Sequence, residues 1–142
     1  MAIKVMPSTT REFVLEESDK LYNEANEPPT RVTIRQASQG DAERRSNLFS
    51  KWRTSMNSAG ENSLEQEFNY NAVKRLDVYL TLTDSNITNG ATGKSLFTFK
   101  DGRLESQVSF DKAWDMLPVP MADEIHNKVL EMNPDWDLTQ GE

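Results

Sequence analysis

Ser109-Phe-Asp-Lys-Ala-Trp-Asp-Met-Leu-Pro-Val-Pro-Met-Ala-Asp-Glu-Ile-His-Asn-Lys-Val-Leu-Glu-Met-Asn-Pro-Asp-Trp136 holds two helical segments separated by Pro118-Val119-Pro120. The pattern predicts a short helix from Ser109, its cap, to Leu117. A longer one follows, with Met121, Ile125, Val129 and Met132 on its buried side. Pro120 suits the first turn, where a missing N–H is harmless. Asn133-Pro134 stops the helix. Residues 101–142 also carry ten acids and three bases, whereas residues 1–100 carry thirteen of each, so the whole net charge of −7 lies in the last third.

Upstream, Ser63-Leu-Glu-Gln66 matches a capping box. The helix after it, running to about Thr83, carries Leu64, Phe68, Ala72, Leu76, Tyr79 and Leu80. An earlier helix opens at Gly40-Asp41, with Asp41 as its cap. It bears the apolar stripe Leu48, Phe49, Trp52 and Met56 and ends at Asn57–Gly60. Residues 12–15 read as a strand, and Glu16 to Pro29 as a polar loop closed by Pro28-Pro29. Residues 31–36 alternate as a second strand, with Val32, Ile34 and Gln36 on one face and Arg31, Thr33 and Arg35 on the other. After the loop Asp84–Gly93, the stretch Leu96–Leu104 predicts a hairpin turning on Asp101-Gly102 as type I′.

The expected fold is α+β, a small antiparallel sheet with about four helices in a single domain over 1–142. Its parts are a strand pair 12–36, a helical body 41–83, a hairpin 95–106 and C-terminal helices 109–133. A chain of this size buries roughly 68% of its unfolded surface.

Composition excludes several chemistries. With no cysteine there are no disulfides, thiolate metal sites or cysteine nucleophile. The N-terminus lacks the apolar run of a signal peptide, and no window reaches the ~18 apolar residues of a membrane span. A soluble cytoplasmic protein is expected. A pI near 4.8 argues against nucleic-acid binding. The exception is the segment 31–53 at +4, with Arg31, Arg35, Arg44, Arg45, Lys51 and Arg53, which also reads as a solvated face.

No catalytic, cofactor or metal residues are assigned. His126 is the lone histidine, and no Gly-x-Ser-x-Gly elbow presents a serine to it. It reads as a surface or half-buried helical residue. A small hydrolase built on His126 and nearby acids is the weakest of the function classes. Asp123 and Glu124 point about 100° apart on a helix and read as solvated. Gly93-Lys94-Ser95 lacks the full spacing of a phosphate loop.

Three stretches resemble the tail assembly chaperones of long-tailed bacteriophages: Thr30-Arg-Val-Thr-Ile-Arg-Gln-Ala-Ser-Gln-Gly-Asp41, Asp77-Val-Tyr-Leu-Thr-Leu-Thr-Asp84, and the Leu-Pro-x-x-x-Ala-x-x-Ile-His-x-x-Val-Leu-x-x-Asn-Pro element from Leu117 to Pro134. The likeness covers the layout of 12–136 through short motifs. It implies a non-enzymatic protein of the host cell cytoplasm that coats the tape measure protein and yields to the tail tube protein. The alternative class is a virion structural protein, such as a head–tail connector or minor tail component.

A long client helix calls for many copies, hence a homo-oligomer, with neither nucleic acid nor membrane as partner. Helix-in-groove recognition places the client on Leu48, Phe49, Trp52 and Met56, supplemented by Trp136. Trp136 lies beyond a helix-ending proline and either folds back or projects as an anchor. The competing reading is a monomer core against Val32 and Ile34, which is favoured for at least two of the four. Arg44 and Arg45 in the basic segment are the expected self-association residues, meeting the acidic end of the next copy; the two regions suit pairing within one chain, or simple solvation, equally well.

Overall fold

The computed structural model describes residues 2–4, 9–59 and 63–137, and for residues 50–59 and 63–69 the backbone alone. The chain is α+β. Strands β1 (Thr10–Val14), β2 (Arg31–Arg35) and β3 (Leu82–Ser85) form an antiparallel sheet in that order, and β4 (Phe99–Lys100) and β5 (Arg103–Leu104) form a separate hairpin. The helices are α1 (Glu16–Tyr22), α2 (Gln39–Ala59), α3 (Ser63–Thr81), α4 (Gln107–Asp115) and α5 (Val119–Met132), followed by a 3-10 turn at Pro134–Trp136.

The alternation of β2 buries Val32 and Ile34 completely, and Phe13 pairs opposite Val32. Helix α5 packs against β2, α1 and α3 and fills the space above with Ile125 and Val129. Phe110 of α4 stacks on Phe97 at 5.8 Å between centroids and meets Tyr79 at 5.5 Å and Trp114 at 5.8 Å. That aromatic group joins the segment just before the hairpin to α3 and α4. Asp101 and Gly102 both take positive φ, 55° and 75°, as a type I′ turn requires. Pro120 sits in the first turn of α5 as expected.

Several expectations are corrected. Residues 16–22 are helical rather than loop, because the cap of α1 comes from elsewhere in the chain. Glu124 of α5 accepts the N–H groups of Glu17 and Ser18 at 3.1 and 2.8 Å and the Ser18 hydroxyl at 2.6 Å. Glu124 is therefore buried, not solvated. Asp19 then closes the loop after α1 by accepting from Thr30 and Asn23.

Helix α3 ends at Thr81 rather than Thr83, because residues 82–85 pair with β2 as a third strand. The cap of α2 is Ser38, not Asp41. Ser38 Oγ accepts the Asp41 N–H at 3.2 Å while Asp41 accepts the Ser38 N–H at 2.9 Å, a reciprocal capping box. Ser106, not Ser109, caps α4, accepting the Ser109 N–H at 3.1 Å. Leu64 and Phe68 lie outside the residues whose side chains are described.

Arg35, expected on the outer face, is buried. Its guanidinium grips both oxygens of Asp41 at 2.7 and 2.8 Å and donates to the Leu80 carbonyl, an orphan acceptor in the last turn of α3.

Two outcomes follow. Glu124→Ala removes the cap of α1 and is expected to cost about 1–3 kcal/mol, from lost hydrogen bonds to a charged acceptor. Amide exchange should show protection lost across α1 and retained in α5; unchanged exchange in α1 would refute its dependence on Glu124. Burial opposes ionisation of Asp41, but Arg35 and the Ser38 N–H outweigh it and hold the carboxyl below its ordinary value near 3.8. Its contribution is therefore full above pH ~4 and lost as pH falls through the lowered value. In denaturant melts Asp41→Asn should flatten part of that acid loss. It should also cost about 3–5 kcal/mol at neutral pH by stranding Arg35.

Candidate functional site

The most polar group in the interior centres on Asp77 of α3, whose side chain is wholly buried. Arg45 of α2 donates to it through Nε at 2.7 Å and Nη2 at 3.4 Å, and His126 Nε2 of α5 lies 3.0 Å from its second oxygen. Arg45 also donates to the Trp136 carbonyl at 2.8 Å. Its guanidinium lies 4.9 Å from the Trp136 ring and 5.3 Å from the Phe49 ring. The His126 ring is 4% exposed rather than at the surface, and Tyr70 meets its edge at 6.4 Å. This histidine–aspartate pair borders none of the described clefts. Its chemistry is that of an internal ion-pair network tying α2, α3, α5 and the closing turn together.

Two sequence expectations change here. Trp136 folds back and is 5% exposed, so it is not a projecting anchor. Asn133 holds the same turn, accepting the Ala37 N–H at 2.8 Å. Arg45 is buried by its ion pair and cannot serve as a self-association surface, whereas Arg44 is exposed. The basic segment 31–53 is also smaller in effect than its count. Arg31 pairs with Glu12, Arg35 with Asp41 and Arg45 with Asp77.

The predicted client stripe divides. Phe49 is half-buried against Arg45. Leu48 is half-buried and lines a cleft of about 320 Å³ where α2, α3 and α4 meet. Trp52 and Met56 lie outside the residues whose side chains are described. Leu48, Ala72 and Leu76 give the cleft an apolar lining, and Arg75 and Asp111 supply its polar wall. Arg75 Nε and Asp111 Oδ1 are both buried without a hydrogen-bond partner among the described residues. The two residues that carry these buried atoms line the same cleft. Sequence reasoning found Leu48 through its periodicity. It missed Arg75 and Asp111, because nothing local tells a solvated charge from a stranded one.

Among the described residues, no group of three or more acidic or histidine side chains is placed to hold a metal ion. No helix there is long and apolar enough to cross a membrane.

Arg45→Ala leaves Asp77 buried with one partner fewer and should cost about 3–5 kcal/mol. It should also free the closing turn, seen as a shifted Trp136 indole N–H resonance. Arg44→Ala should stay within about 0.5 kcal/mol of the parent, as expected for a surface change. Equal losses at the two positions would contradict the internal network.

Compared with protein-family models, curated proteins and solved structures, the chain matches none.

Proposed function

We propose that this chain is a tail assembly chaperone of the kind made by long-tailed bacteriophages. In this reading it binds the tape measure protein in the host cell cytoplasm and keeps it soluble until tail tube protein replaces it. The observation that carries the reading is the cleft at Leu48, Ala72 and Leu76, an apolar lining ringed by Asn71, Arg75, Gln107 and Asp111.

Every residue of a polypeptide except proline presents both an N–H and a C=O. A bound segment would place an apolar side chain on the leucine lining and turn its backbone N–H and C=O groups toward the polar residues Asn71, Arg75, Gln107 and Asp111 around it. The volume of about 320 Å³ lies at the small end of the roughly 300–1,000 Å³ range of small-molecule sites. It suits a few side chains. The resemblance in residues 30–41, 77–84 and 117–134 supplies the client class.

Leu48→Asp tests this. The variant should fold, with stability within about 1 kcal/mol because Leu48 lies outside the buried core. Its affinity for co-expressed tape measure protein should fall at least about tenfold, or 1.4 kcal/mol. A folded variant that still keeps the client soluble would refute the cleft as the client site. Finding the protein in fixed stoichiometry in purified mature particles would instead favour a structural component of the virion.

A further inference from the structure

Arg44 of α2 and Arg103 of β5, 59 positions apart in sequence, flank a cleft of about 170 Å³ whose floor is Tyr79, Leu80, Leu82 and Leu104. Other arginines with described side chains have partners. Arg31, Arg35, Arg45 and Arg75 pair with carboxylates, and Arg11 lies over the Phe13 ring. Arg44 and Arg103 have neither a carboxylate nor a ring against them among the described residues. Two like charges on one cleft repel, and the apolar floor strengthens whatever ion pair forms above it. A guanidinium pair of this kind suits a carboxylate on a short arm.

The same chain carries such a group. In the acidic last third, Asp115, Asp123 and Glu131 pair with Arg75, Lys74 and Lys128, and Glu124 caps α1. Asp101 and Glu105 are exposed and unpaired as well, but they flank Arg103 on its own hairpin; Asp135, apart from that patch, is exposed and has no cation within 4 Å among the described residues. It sits on the 3-10 turn between Asn133 and Trp136, which are 4% and 5% exposed. Two buried anchors thus hold an outward carboxylate in place, which lowers the ordering cost of docking.

We propose that Asp135 of one copy docks between Arg44 and Arg103 of a second copy. The two patches differ, so the contact is heterologous and propagates head to tail into a ring or an open array. The inference stands apart from the client reading, since it concerns another cleft and needs no tape measure protein.

Sedimentation velocity of the intact chain at about 0.15 M salt tests it, with about 1 M salt as the screened comparison. The wild type should sediment as an oligomer at the lower salt and as a monomer at the higher. Arg44→Glu/Arg103→Glu should be monomeric, and so should Asp135→Arg, both with unchanged thermal melts because all three positions are exposed. Mixing the two variants should restore association, because each supplies the charge that the other now lacks. A wild type that is monomeric at about 0.15 M, variants that associate like the wild type, or a mixture that stays monomeric would each overturn the proposal.

Discussion

The Asp77 carboxylate is the group on which the arrangement of helices depends. It is wholly buried, and a charge without solvent is tolerated only when donors surround it. Arg45 and His126 are those donors, from α2 and α5, so both helices must sit at one register against α3. The hydrogen-bond network assigns a hydrogen to His126 Nε2, since a carboxylate only accepts. Arg45 has donors left over and spends one on the Trp136 carbonyl while stacking on the indole. An apolar residue at position 77 would bury area as well but would fix none of these positions.

The same logic recurs wherever an element ends. Helix termini leave N–H and C=O groups without partners, and this chain satisfies several of them from distant sequence. Arg35 serves the Leu80 carbonyl at the end of α3, Glu124 the amides at the start of α1, and Asn133 the Ala37 amide before α2. Each tether has geometric consequences beyond its own bond. Because Glu124 is on α5, α1 is positioned by the C-terminal third of the chain. Because Arg35 also grips Asp41, the end of β2, the start of α2 and the end of α3 meet at one guanidinium.

What was legible in the sequence is what local chemistry determines. The alternation at Val32 and Ile34, the turn at Asp101-Gly102, Pro120 in a first turn and the Ile125–Val129 stripe all follow from neighbours in the chain. Helix α1 was not legible, since seven residues, the first five of them polar, without a local cap have no intrinsic reason to fold. Strand β3 was hidden because Leu82 continues the helical period of α3, and only pairing with β2 ends that helix. At the sites the failures share a cause. Arg45, Trp136 and Phe49 are residue types enriched at interfaces, yet they satisfy one another inside the protein. Leu48 was found by its spacing, whereas the stranded atoms of Arg75 and Asp111 exist only once α3 and α4 are side by side.

The internal pairs also change what the charge count means. A net charge of −7 repels a second copy whatever its orientation. At about 0.01 M salt that repulsion reaches ~30 Å, far enough to oppose the approach of whole molecules. At about 0.15 M it fades beyond ~8 Å, while a carboxylate held between two guanidiniums at contact distance remains strong. Near 1 M even that contact weakens. Contact between a two-arginine cleft and one fixed carboxylate therefore gives an association strongest at intermediate ionic strength. A general attraction between a basic body and an acidic end would instead strengthen steadily as salt is removed.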